Sequence, residues 1–323
     1  MKRFVFAAAV GVAAFVMTTA PALAGNLSKY DGASWYDKYL SVSSGTTPVC
    51  SGNTGSGPQF AEGNNVDASH ECGSQSETSI AINPKNARNV LVGSNEIQSL
   101  PMDAMASLDG GATFTQVDLP LPPPRTRNGF DFGSDPGVAF DSDGNAYYSY
   151  IVVFFSTGGS INGTEMAVAK STDGGLTWKD SDVTYFAPQT GEGQFDDKPM
   201  ITVDTRATPN RIYVAWDNAT GNSSSTKNGN NVVLSHSEDS GKTFSAPVSV
   251  SGPFTGKTGG IGADPYVTSN GTLHVAWQDY AHLVIADASS TDGGNTFTAP
   301  HVIALIGGFQ FNVAAQSTRG ALV

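Results

Sequence analysis

Apolar and turn-forming residues alternate along this chain in short runs, and the runs recur in pairs. The first of each pair reads Ser79-Ile-Ala-Ile82, Pro136-Gly-Val-Ala-Phe140, Pro199-Met-Ile-Thr-Val203 and Pro265-Tyr-Val-Thr268. The second reads Val90-Leu-Val-Gly-Ser94, Ala146-Tyr-Tyr-Ser-Tyr150, Ile212-Tyr-Val-Ala-Trp216 and Leu273-His-Val-Ala-Trp277. Runs of this length, rich in β-branched and aromatic residues and separated by pieces such as Asp141-Ser-Asp-Gly-Asn145, predict strands joined by tight turns. Beyond the N-terminus, no segment carries a sustained helical period with caps.

An octet follows each pair. It reads Ser107-Leu-Asp109-Gly-Gly111-Ala-Thr113-Phe114, Ser171-Thr-Asp173-Gly-Gly175-Leu-Thr177-Trp178, Ser237-Glu-Asp239-Ser-Gly241-Lys-Thr243-Phe244 and Ser290-Thr-Asp292-Gly-Gly294-Asn-Thr296-Phe297. The starts lie 64, 66 and 53 residues apart, so the octet marks a repeating unit. Its chemistry is that of a turn. Asp accepts hydrogen bonds from turn amides, Gly supplies positive φ, and Thr with an aromatic opens a strand whose ring can enter a core. Each unit therefore reads strand, turn, strand, loop, strand, octet, strand.

The octet closely resembles the Asp-box, or BNR repeat, of the sialidase-like β-propellers. The resemblance implies an all-β propeller of four-stranded antiparallel blades, with each octet joining the third and fourth strands. It also makes Asp109, Asp173, Asp239 and Asp292 structural. The units run over about 77–121, 135–188, 197–252 and 264–304, with a partial fifth over 309–323. The family usually has six blades. Two expectations follow: a shortened sequence, or strands contributed by the N-terminal extension at 25–76 to close the ring.

Composition then narrows the setting. Residues 1–24 read as a signal peptide, with Lys2 and Arg3, an apolar stretch over 4–17, and Ala22-Leu23-Ala24 as cleavage site. No other run is long enough to span a bilayer, so the expected location is secreted or periplasmic. The net charge of −12, carried by 29 acidic and 17 basic residues, argues against nucleic acid as partner. Cys50 and Cys72 are the two cysteines, and an oxidising compartment favours a disulfide between them.

Candidate chemistry concentrates opposite the octets, at the mouth of the channel. Asp135, Asp197 and Asp264 each stand at or just before a proline that opens an innermost strand, and Glu77 stands in the matching place of the first unit. A ring of Glu77, Asp135, Asp197 and Asp264 could hold Ca²⁺ or present a polar platform to a sugar. Alternatively, each carboxylate caps a local turn. Asp131 and two arginines, Arg125 and Arg127, map to the same mouth as ligand-binding candidates. The family's arginine triad and tyrosine nucleophile imply a sialidase-type glycosidase acting on extracellular glycans. This chain does not supply that triad, because Arg88, Arg206 and Arg211 fall at the octet end. No catalytic residue is assigned. The alternative is a non-catalytic propeller that binds glycans or proteins. The five histidines, His70, His236, His274, His282 and His301, show no ligand spacing, and the repeat-matched Trp216 and Trp277 are expected in the core.

Overall fold

The computed structural model describes residues 66–69, 75–96, 101–122, 131–155, 161–191, 195–219, 230–252 and 259–306. The signal-peptide region, Cys50, Cys72, Arg125, Arg127 and the partial fifth unit lie outside them. The described residues form sixteen strands in four antiparallel sheets. The first blade holds β1 (Gln75–Ile82), β2 (Val90–Glu96), β3 (Asp103–Ser107) and β4 (Thr115–Asp118). The second holds β5 (Asp131–Phe140), β6 (Ala146–Phe155), β7 (Ile161–Ser171) and β8 (Val183–Thr190). The third holds β9 (Phe195–Asp204), β10 (Arg211–Ala219), β11 (Asn230–Ser237) and β12 (Val248–Ser249). The fourth holds β13 (Gly260–Val267), β14 (Leu273–Asp279), β15 (Val284–Ser290) and β16 (His301–Leu305). Helix is confined to one 3₁₀ turn at Asp180–Asp182.

Within each sheet the strands pair in chain order, and β1, β5, β9 and β13 pack side by side along the axis. These innermost strands begin two to four residues ahead of the proline-based boundaries. Pro136 and Pro199 sit inside strands rather than at their starts. Each occupies a bulge, where no ladder amide is required of it.

Every octet joins the third and fourth strands, and its hydrogen bonds repeat closely. In the second copy the Ser171 hydroxyl donates to Asp173 Oδ1 at 2.6 Å, and the Gly175 amide donates to Ser171 Oγ at 3.0 Å. The Leu176 and Thr177 amides share Asp173 Oδ1 at 3.0 Å, and the Thr177 hydroxyl reaches Asp173 Oδ2 at 2.6 Å. Gly175 has φ 95°, which explains why the octet keeps glycine there. Asp173→Ala strands two turn amides and two hydroxyls, with water as partial substitute. A loss of about 1–2 kcal/mol, read by thermal denaturation, is the expected result.

The cores lie between blades. Leu91, Ala104 and Ala106 of the first blade meet Val138, Phe140, Tyr148 and Trp178 of the second. Between the second and third, Phe186 stacks on Phe244 at 4.2 Å and meets Trp216 edge-on at 6.0 Å. Trp277 belongs to the core between the third and fourth. Both repeat-matched tryptophans are thus buried. By register, Ile80 and Ile82 of β1 match Val138 and Phe140 of β5, yet they are 68% and 60% exposed. In the described residues nothing covers the leading face of the first blade as the first covers the second.

Candidate functional site

Four bulges shape the mouth. Each innermost strand slips register once: between Ser76 and Ser79, Ser134 and Gly137, Asp197 and Met200, and Ile261 and Asp264. The first inserted residue takes positive φ in every case: Glu77 (55°), Asp135 (58°), Lys198 (53°) and Gly262 (68°). A left-handed non-glycine residue is costly, and three in matching places are held by their surroundings. The bulge turns each of these side chains out of the regular alternation of the strand.

The acidic ring is therefore corrected at two of its four places. Glu77 and Asp135 are equivalent. The third place belongs to Lys198, with Asp197 one residue before it, paired with Asp217 of β10. The fourth belongs to Gly262. Asp264 lies two residues further on, exposed, within electrostatic reach of Tyr266, which also feels Asp287. The reason is the bulge itself: an inserted residue shifts phase, so spacing to proline does not report equivalence. Asp131 is buried at the start of β5.

Lys198 converts the ring into a mixed-charge network. Its Nζ donates to Glu77 Oε1 at 2.5 Å, and its amide donates to Asp135 Oδ2 at 3.1 Å. Asn95 of β2 ties the carboxyls together. Its Nδ2 donates to Glu77 Oε2 at 3.1 Å, and its Oδ1 accepts the Asp135 amide and the Ser134 hydroxyl, each at 2.8 Å. Burial, reinforced by the neighbouring Asp135, pushes the Glu77 carboxyl up to about 7 against the pull of Lys198. Burial and then Asp197 raise Asp135. Burial alone would lower the Lys198 ammonium, but Asp135, Glu77 and Asp197 together hold it above its ordinary value.

Two further buried acids, of which Asp217 is coupled to Lys198 and Asp135, were not singled out from the sequence. Asp196 receives Asn218 Nδ2 at 2.5 Å and gives its amide to Thr164 Oγ1 at 2.8 Å. Burial pushes its carboxyl up to about 7, outweighing the Trp216 and Asn218 side chains. Asp217 has no solvent-exposed surface, and burial raises it well above the carboxylate range, with Lys198 opposing. Both lie within strands, Asp196 in β9 and Asp217 in β10.

At the mouth the Lys198 ammonium is hydrogen-bonded to Glu77 and attracted by Asp135. Among the described residues no group of three or more His, Cys, Asp or Glu side chains is arranged to hold a metal ion. Among the described arginines, none is at the mouth. The Arg88 carbonyl accepts the Gly110 amide beside the first octet. Arg206 is held by Asp204 at 2.8 Å, and Arg211 by Glu238 of the third octet. Among the described residues no helix is long and apolar enough to cross a membrane.

No protein-family model matches the chain, and no curated protein sequence does. Solved structures do. The leech intramolecular trans-sialidase complexed with 2,7-anhydro-Neu5Ac is 12% identical, with a TM-score of 0.52 over 76% of this chain and 53% of that one. The NanB sialidase of Streptococcus pneumoniae is 12% identical, TM-score 0.49, over 72% and 52%. The α-L-arabinanase of Penicillium chrysogenum, complexed with arabinobiose, is 14% identical, TM-score 0.47, over 69% and 66%. This chain spans about half the length of the two sialic-acid proteins. At these identities the likeness concerns fold. Together with the four sheets, the trans-sialidase match makes the architecture a sialidase-like β-propeller.

Proposed function

We propose that this protein is an exported propeller that recognises neutral glycans at the mouth formed by β1, β5, β9 and β13, and that it does not hydrolyse sialosides. The observation that carries this is the state of Lys198. It is the cation that the described residues place at the mouth; Glu77 already accepts its hydrogen bond, and Asp135 attracts it electrostatically. A guest carboxylate would meet the accessible acids Glu77 and Asp264 instead of a guanidinium fork, the usual grip on a planar carboxylate. A neutral polyol makes hydrogen bonds to such a surface without like-charge repulsion. The N-terminal signal sequence supports export, and the fold match to the trans-sialidase supports a glycan as the ligand.

One observation favours a hydrolytic version of this reading. Glu77 is pushed up to about 7 and its side chain is 30% exposed, so it exchanges a proton near neutrality where a ligand could reach it. A glycosidase acid needs that property. The test uses the mature protein from Gly25. A fluorogenic sialoside should not be turned over, and isothermal titration against neutral oligosaccharides should show binding. Sialoside turnover that disappears in Arg127→Ala would overturn the proposal. Turnover of neutral aryl glycosides that is lost in Glu77→Gln would decide for the hydrolase.

A further inference from the structure

The ring of bulge side chains is broken at one point. The first three blades place Glu77, Asp135 and Lys198 there, and the fourth places Gly262. A Cβ on Gly262 would meet nothing within 4 Å, so the lip of the fourth blade has an opening the size of a side chain. Asp217 lies across the blade boundary, facing the Gly262 amide. It is fully buried, and neither of its carboxyl oxygens closes a hydrogen bond of ordinary geometry. A buried polar group left in that state costs stability and calls for an explanation.

Three residues ahead of Gly262, Gly259 meets a braced loop, with the Tyr280 ring lying against it. Asp279, itself buried, accepts the Ala281 amide at 2.9 Å, the His282 amide at 3.1 Å and His282 Nδ1 at 2.6 Å. The Tyr280 amide donates to the Gly259 carbonyl at 3.0 Å. Tyr280 is therefore fixed at its backbone while its ring is 46% exposed, and its hydroxyl feels the charge of Asp217 and Asp279. An exposed aromatic on a rigid turn, next to an opening and hydrogen-bonding groups, suits the apolar face and hydroxyl rim of a sugar.

We propose that the opening at Gly262, walled by Tyr280 and His282, is the subsite that seats one sugar unit of a neutral glycan. The sugar ring lies on Tyr280 and its hydroxyls point towards His282 and the backbone at Gly262. This rests on the glycan reading above and adds where the ligand sits.

The experiment is titration of the mature protein with cellotetraose, xylotetraose, galactotetraose and arabinotetraose. At least one should bind wild type. Tyr280→Ala should then weaken that tetraose by about tenfold, while Tyr280→Phe stays within about threefold. Gly262→Asn fills the opening with a residue that tolerates positive φ, and should weaken binding by a similar factor. If Gly262→Asn fails to fold, the Tyr280 pair decides alone. Wild-type affinity in both Tyr280→Ala and Gly262→Asn, with binding lost in Glu77→Gln, would overturn this subsite and leave the glycan reading standing. Absence of binding by wild type to all four tetraoses would overturn both.

Discussion

Lys198→Met should cost the fold about 3 kcal/mol at pH 7.5, and most of that loss should vanish at pH 5. The substitution keeps the aliphatic stem, the left-handed backbone and the amide bond to Asp135, but it removes the ammonium that binds Glu77 and attracts Asp135. Breaking a largely buried pair by deleting one partner is strongly destabilising, because the remaining charges keep their desolvation cost. The carboxyls left behind repel one another and hold protons more tightly than in wild type. A carboxyl raised in the folded state stabilises fully below its unfolded pKa, and that contribution is lost as pH rises through the folded one. Acid thus restores what the missing ammonium supplied. Urea melts of variant and wild type at the two pH values measure it. An equal loss at both would reduce Lys198 to a packing role.

Wild type itself should be more stable near pH 5 than near pH 8, by several kcal/mol. Asp196 and Glu77 are both pushed up to about 7, from ordinary values near 4, chiefly by burial. Asp135 and Asp217 are raised in the same sense. For Asp196 the rise of about three pKa units corresponds to roughly 3–4 kcal/mol, lost between about pH 4 and pH 7. The octet carboxylates work in the opposite sense. The Thr113 side chain and amide, then Ser107, hold Asp109 below the usual range, and Thr296 and Ser290 do the same for Asp292. Their contribution is present above the unfolded carboxylate value and fades only in stronger acid. Asp196→Asn keeps an oxygen for Asn218 and should flatten the slope between pH 5 and 8. A variant whose stability falls over that range as steeply as wild type would remove Asp196 as the cause.

Much of the architecture was legible because the octet is a local device. Its serine, aspartate, glycine and threonine satisfy one another within eight residues, so the four turns and their flanking strands could be read without long-range information. The tryptophans at matching places were legible as core for the same reason. The mouth was harder, since bulge phase depends on which partner residue each strand residue faces. Aligning Pro136 with Pro199 would have set Lys198 opposite Asp135, and that signal was available. For Gly262 no proline helps, because Pro265 lies beyond the bulge. Asp196 and Asp217 carried no such signal, because burial of a carboxyl inside a strand depends on neighbours that are distant in sequence. The three-residue spacing of Asp279 and His282 was visible, but nothing local indicated that the pair braces a loop.

The bulges also carry a dependency between blades. Asn95 of the first blade accepts the amide of Asp135 in the second, and Asp135 accepts the amide of Lys198 in the third. Asp217 of the third faces the amide of Gly262 in the fourth. In each case the strained residue of an innermost strand is gripped from the blade before it. The second, third and fourth blades therefore cannot reach their final shape alone: each, cut free, would lack the acceptor or carboxyl that faces its left-handed turn. Assembly has a direction, with every finished blade serving as template for its successor. Loss of one blade should loosen those after it more than those before, so amide hydrogen exchange should reveal protection graded along the chain in place of four independent units.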